Sequence, residues 1–316
     1  MYQKNKKLIS SNEDIVSLFS KENFLIFNNI FFLIITLTVF LGTVFPIISE
    51  AFTGEKILVG PTFYDLVNFP NVLALMSLMS VAPIIPWKTG KLSPILMLLL
   101  KPVILSILTT FVAYMFFDNF KVLLIFFISS FVIFVNLQDI IVEFKLQLAR
   151  GLKWKDILSK RYRRYCSFLV HFGIILLIIG ITLSSVYGTK SDFILSTGQS
   201  LKINDYDIKL LETYKKESEA KNILGAKLLL TDSGNSYYLY PEQNLYKYEG
   251  NREINKETEV AIYNTLKKDY YLILIDDMED GRFNFKIYIN PWVSLLWIGS
   301  LVSILGGVLI MFRRKI

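Results

Sequence analysis

"RYCSFLVHFGIILLIIGITLSSVYG", residues 164–188, has an uninterrupted apolar centre over 166–186 and carries the only histidine of the 316-residue chain, His171. A helix needs about 20 apolar residues to cross a hydrocarbon layer about 30 Å thick, and this stretch meets that length. An ionisable side chain inside a span is costly, so it usually faces the interior of a helix bundle and has a function there. The stretch thus predicts a transmembrane helix with an imidazole that has a task.

Composition extends the reading outward. With 53% hydrophobic and 15% aromatic residues, the chain is too apolar for an ordinary water-soluble domain. Apolar runs near spanning length occur at 29–48, 72–87, 94–117, 122–141, 166–186 and 291–312. The run at 72–87 is the shortest. Between the last two lies a polar segment, 187–290.

The basic residues sort these spans by side. Lys4, Lys6, Lys7 and Lys21 precede the first run, and Lys88 and Lys91 separate the second and third. Lys145, Arg150, Lys153, Lys155, Lys160, Arg161, Arg163 and Arg164 separate the fourth and fifth, and Arg313, Arg314 and Lys315 end the chain. With six spans all of these fall on one side, which positive-inside bias makes the cytoplasm or matrix. The net charge of +7 is then a topology signal rather than a nucleic-acid footprint. The expected fold is a polytopic α-helical membrane protein of about six transmembrane helices, with a small outward-facing antiparallel β domain inserted between the last two. Its segments are an inward terminus (1–23), a four-helix membrane region (24–143), a basic inward loop (144–165), the histidine span (166–186), the β domain (187–290), a last span (291–312) and a basic tail (313–316).

Strands are expected in the polar segment from "DFILST", "YDIKLLETY", "AKLLLTD", "SYYLYPE", "DYYLILID" and "FNFKIYIN", separated by turn-forming "STGQS", "TDSGNS", "YEGNRE" and "DDMEDGR". "NKETEVAIYNTLKK" reads as a short helical turn. The product is a small barrel or sandwich. It contains no His or Cys, so it reads as a docking or covering domain.

Several chemistries are excluded. Cys166 is the one cysteine, so there is no C-x-x-C, and the chain is neither a thiol-disulfide oxidoreductase nor a C-x-x-C-H cytochrome. Cys166 reads as a small packing residue. The opening "MYQKNKKLISSNEDIVSLFSKENF" fits neither a secretory signal nor an Arg-rich transit peptide. Heavy use of Lys, Asn, Ile and Phe points to an AT-rich genome.

On a helix, Ser167, Ile174, Ile175, Ile178 and Thr182 share the face of His171, and Gly173 and Gly180 lie nearly opposite. The glycine face suits close helix packing. The broad apolar histidine face suits a porphyrin, for which imidazole is a common axial ligand, with a group near Ser167 accepting the other ring N–H. A neutral histidine hydrogen-bonded to a neighbouring helix is the alternative.

"SKENFLIFNNIFFLIITLTVFLGTVFPIISEAFTGEKILVGPTFYDLVNFP", residues 20–70, resembles the membrane entry of the carboxyl-terminal half of the CcmF family, the haem lyase subunit of the cytochrome c maturation system. The resemblance continues in order through "RRYCSFLVHFGIILLIIGI", "YPEQNLYKYEGNREINKETEVAIYNTLKKDYYLILIDD" and "YINPWVSLLWIGSLVSILGG". It implies that His171 is an axial ligand of a membrane-embedded haem b. The family holds that haem between two histidines, so the second must come from another polypeptide. The implied reaction is stereospecific thioether formation between the vinyls of a substrate haem and the thiols of apocytochrome c. The chain has four tryptophans and no W-x-W-D cluster, so it resembles half of a haem lyase. The expected partners are a second chain carrying the tryptophan-rich half, haem-delivering and apocytochrome-presenting maturation subunits, and apocytochrome c.

The resemblance implies a mitochondrial inner membrane location with the β domain in the intermembrane space, or a bacterial inner membrane with it in the periplasm. Tyr64 and Asp65, expected on an outer loop, are candidates for lining the substrate haem pocket, with an interfacial aromatic belt as the alternative. Arg161, Arg163 and Arg164 are candidates for haem propionates, with inward anchoring as the alternative. Lys101, before Pro102, either snorkels or makes a buried polar contact at a kink. The remaining readings are an assembly scaffold without its own haem and a transporter subunit. The sequence shows no inverted repeat that would favour the latter.

Overall fold

The computed structural model describes residues 20–85, 92–218, 221–247, 253–278 and 280–312. The basic groups at Lys4, Lys6, Lys7, Lys88, Lys91 and 313–315, and Trp87, lie outside the described residues. Seven helices and ten strands follow in order among them: α1 (Lys21–Thr53), α2 (Pro61–Val81), α3 (Leu92–Tyr114), α4 (Phe120–Ala149), α5 (Trp154–Lys160), α6 (Tyr162–Tyr187), β1 (Thr189–Ser196) to β10 (Arg282–Pro291), and α7 (Val293–Met311). Two compact units divide the chain, one comprising residues 1–175 and 302–316, the other 176–301.

Among the described residues five helices are long and apolar enough to cross a membrane: α1, α3, α4, α6 and α7. With the β region between α6 and α7, the chain is a polytopic helical membrane protein carrying an inserted β domain. Where the second apolar run, 72–87, was expected, the helix runs Pro61–Val81 and is not among those five. Pro61 follows the cap residue Gly60 and occupies the first turn, where its missing N–H has no helical partner to lose. Pro70 lies inside the same helix.

The first unit begins with the α1–α2 pair. Gly42 of α1 lies against the Tyr64 ring, and a β-carbon at 42 would come 2.5 Å from the Tyr64 hydroxyl. The connection is braced by Ser49, whose hydroxyl donates to Pro46 O (2.9 Å) and accepts from Ile57 N (2.9 Å). Tyr64 and Asp65 therefore stand in the opening turns of a helix, not on a loop. The "LGTVFP" and "GPTFYD" stretches meet as a packing pair. On α3, Lys101 is exposed and Pro102 buried. Ser106 donates to Pro102 O at 2.7 Å.

In the second unit, two antiparallel sheets share one core. One has the order β1-β10-β9-β8; the other runs β2-β3-β4-β6-β7, with β5 also paired to β4. Leu195, Leu210, Leu228, Leu272 and Phe285 are fully buried between them. The alternating burial of β9 and β10 follows from side chains pointing to opposite faces of a strand. "NKETEVAIYN" forms β7 (Glu253–Glu259) and β8 (Ala261–Asn264) rather than the expected helical turn. β7 is the outer strand of its sheet, so its charged side chains can remain in water while its backbone pairs with β6.

Candidate functional site

The site is assembled on α6. One face of this helix meets α7 along a seam of small residues. A β-carbon at Gly306 of α7 would come 2.9 Å from Val170 N and 3.1 Å from Cys166 O, and one at Gly180 would come 2.7 Å from Leu296 N. Two cross-helix bonds lie on the same seam: Ser303 Oγ donates to Val170 O (3.2 Å) and Tyr162 OH to Leu309 O (2.9 Å). Such side chain to backbone bonds and small-residue contacts hold helices together where lipid supplies no hydrophobic force. Cys166 is a free, buried thiol in this seam, as its reading as a packing residue required.

His171 stands roughly 145° around the helix from the centre of that seam, at 100° per residue. Its Nδ1 is buried and has no hydrogen-bond partner among the described residues. The expected acceptor near Ser167 is not engaged with it, since the Ser167 hydroxyl donates to Arg163 O at 2.8 Å on its own helix. Thr182, further along the same face, likewise donates to Ile178 O. The imidazole is therefore not committed to any hydrogen bond of this chain at Nδ1. A buried polar atom left unpaired costs about 1–3 kcal/mol.

Two turns inward on the same face lies Arg164, with Arg161 just before the start of α6 and Arg163 about 80° round the helix from that face. Arg161 Nη2 is 2.7 Å from Glu143 Oε1, and Arg164 pairs with Asp139 and lies 4.0 Å from Glu143 Oε2. Arg163 makes no such pair among the described residues. Asp139 and Glu143, acids one turn apart on α4, were not singled out from the sequence. Their i,i+4 spacing beside a basic loop was the available signal. The order of the pairs, Glu143 with Arg161 and Asp139 with Arg164, makes α4 and α6 antiparallel. Ion pairs of their long side chains join them. Counted from the Asp139–Arg164 pair, the height of His171 corresponds on α4 to Val132, one turn from Ser129. The Ser129 hydroxyl is also buried without a partner.

The other candidates lie elsewhere. Tyr64 belongs to the α1–α2 contact, and Asp65 Oδ2 is 3.9 Å from Lys121 Nζ with both side chains more than half exposed. An exposed pair at that distance contributes little. No group of three or more metal-ligating side chains occurs among the described residues.

The β domain has its own polar cluster. Asp232, 7% exposed, accepts hydrogen bonds from Tyr270 OH, Lys268 Nζ (2.9 Å) and Ser233 Oγ (2.9 Å). Burial pushes the Asp232 carboxyl up, but these donors outweigh it and hold it below the usual carboxylate range. Burial and the Asp232 partner together push the Tyr270 phenol well up. Tyr214, whose hydroxyl donates to Glu242 at 2.6 Å, is pushed up to about 12, mainly by burial. Every member has a partner, so the cluster is a structural brace.

No family model matches the chain. It is 28% identical to the cytochrome c-type biogenesis protein CcmF of Pseudomonas aeruginosa over 95% of its own length and 45% of that protein's. The Escherichia coli CcmF is 25% identical over the same shares. A solved structure of the cytochrome c heme lyase CcmF superposes with a TM-score of 0.69 at 19% identity, covering 94% of this chain and 46% of that one. The chain thus spans about half the length of the relatives it matches. With its helices, its inserted β domain and this likeness along nearly the whole chain, it is CcmF-like and corresponds to the carboxyl-terminal half of those longer proteins.

Proposed function

We propose that the chain is a subunit of a cytochrome c haem lyase, in which His171 is one axial ligand of a haem b held in the membrane. The observation that carries this reading is the single histidine of the chain, set in a span with Nδ1 buried and without a partner, on the face turned away from the α6–α7 seam. A histidine kept for packing would have its ring nitrogens satisfied within the chain. The fit extends to its surroundings. The face of His171 carries Ile174, Ile175 and Ile178, an apolar surface of the kind a porphyrin contacts.

A haem so held would supply one-electron redox chemistry toward a substrate haem iron, which has to be ferrous for thioether formation with apocytochrome c. The chain's own contribution is to orient the imidazole and keep water from it. Arg163, without an ion pair among the described residues, is the arginine left free for a propionate, since Arg161 and Arg164 already hold Glu143 and Asp139. One histidine cannot supply both axial positions, so in this reading the second, with the tryptophan-rich surface for the substrate haem, comes from outside these 316 residues. The basic 144–165 segment faces the cytoplasm or matrix. The β domain faces the compartment where apocytochrome is presented: the intermembrane space of a mitochondrion, as the AT-rich composition favours, or a bacterial periplasm.

The deciding experiment is the reduced-minus-oxidised optical spectrum of the chain co-purified with its membrane partners, for the native protein and His171→Gly at matched yield. A b-type spectrum that is lost in the variant and restored by added imidazole supports ligation. A spectrum unchanged by the substitution overturns it and leaves the scaffold reading.

A further inference from the structure

The β8–β9 turn is tied to the mouth of the last helix. Trp292, the one residue between β10 and α7, donates its backbone N–H to Lys267 O at 2.8 Å, and Ser294 Oγ in the first turn of α7 donates to Leu266 O. The turn is rigid. Thr265 N donates to Lys268 O at 2.9 Å, and the Thr265 hydroxyl donates to the same oxygen at 2.7 Å while accepting from Lys268 N at 2.9 Å. At its tip Leu266 is 78% exposed, more than any other large apolar residue of the β domain, and Lys267 beside it is exposed as well.

The length of α7 fixes where this tip lies. Nineteen residues rise about 28 Å, barely the thickness of the hydrocarbon layer, so none of the helix is available to project into water. Its first turn is therefore at the membrane surface, and a residue hydrogen-bonded to that turn is at the surface too. Trp292, partly exposed, is at the same level, and about 13 Å further along β10 Lys190 lies over the Tyr288 ring at 5.7 Å, with Tyr271 edge-on to Tyr288. Amphipathic aromatic rings and lysines are the residues that favour the headgroup layer.

We propose that the Thr265–Lys267 turn is a membrane foot. Leu266 inserts into the boundary between lipid headgroups and acyl chains, and Lys267 meets lipid phosphates, so that the β domain is braced on the bilayer at a third point besides its two tethering helices. The occupant is lipid and not protein, because the turn is held at the depth of the α7 entrance, where lipid surrounds a span.

The test places a nitroxide label at Leu266→Cys in a Cys166→Ala background of the full chain, reconstituted in vesicles of phosphatidylcholine and phosphatidylglycerol. Collision with oxygen, which concentrates in lipid, is compared with collision with a water-soluble nickel chelate. The reference is Glu217→Cys, at the other end of β3 from Tyr206 and roughly 36 Å away along the strand. The oxygen-to-nickel ratio at 266 is expected to exceed that at 217 several-fold. Equal ratios overturn the proposal, as does shielding of 266 from both reagents, which would mean that another polypeptide covers the turn. Should Leu266→Cys fail to fold, Lys267→Cys reports on the same tip, with the same two outcomes.

Discussion

The β region and the helical region solve the burial problem in opposite ways. In the sheets Leu195, Leu210, Leu228, Leu272 and Phe285 are all 0% exposed, because water drives apolar side chains together and the strands must pair to satisfy their backbones. In α1 only 6% of the spanning window is buried within the chain, and in α7 only 11%. A helix satisfies its backbone alone and lipid accepts the side chains, so spans need not cover one another. In the helices, contacts through small or polar residues such as Gly42, Gly180, Gly306, Ser303 and the Arg164–Asp139 pair stand beside a smaller set of buried apolar side chains, among them Ile125, Val132 and Ile175. In the β domain burial is spread over a whole core.

The strongest way to break this contrast is a truncation in each region. Phe285→Ala should destabilise the β domain by about 3–5 kcal/mol in denaturant melts, as large-to-small core changes do. Phe40→Ala, at a side chain 59% exposed on α1, should leave thermal stability in lipid unchanged. A substantial loss at Phe40 would mean that the outward side chains of α1 are held by packing and not by lipid.

Adding volume should reverse the ranking. Gly180→Val places a β-carbon against the Leu296 backbone, which cannot rotate aside, and should cost about 2–3 kcal/mol with visible loosening of the α6–α7 pair in cysteine cross-linking.

The polar cluster of the β domain gives the next effect. Asp232→Ala leaves Lys268 and Tyr270 without their acceptor and should cost about 2 kcal/mol at neutral pH. The Asp232 carboxyl is held below its ordinary value in the folded state, so its contribution is present at neutral pH. It is lost as the pH falls below about 4 and through the folded-state value. The native domain should therefore lose stability in acid more steeply than the variant, in melts taken from pH 6 to pH 2. Parallel curves would remove Asp232 from the explanation.

The smallest loss sharpens the comparison most. Without bound ligand, His171→Leu should not destabilise the chain and should stabilise it by up to about 1–3 kcal/mol, because a buried Nδ1 without a partner among the described residues is removed. A loss of 2 kcal/mol or more would show that the imidazole is held by the protein itself.

Legibility in the sequence follows the same division. "DYYLILID" and "FNFKIYIN" alternate cleanly because one face of each strand meets the core, and they were readable at once. "NKETEV" was not, since an edge strand with solvated charges carries no apolar alternation. The start of α2 was hidden by "GPTFYDLVNFPN", whose prolines and asparagines imitate a loop. In the fold Asn71 Nδ2 donates to Val67 O within the helix. His171 was legible because it is unique. Asp139 and Glu143 were not, because acids in a long helix ordinarily read as its solvated end, and only the fold brings the arginines to them.

The junction after β10 has one further consequence. A single residue, Trp292 at φ +60°, connects an interior strand of the four-stranded sheet to a span of only nineteen residues. A thicker bilayer leaves such a short span mismatched, and with one connecting residue there is little slack to absorb the strain. Acyl-chain length therefore becomes a mechanical input to the sheet. The same polypeptide should behave differently in membranes that differ only in the length of their lipid tails.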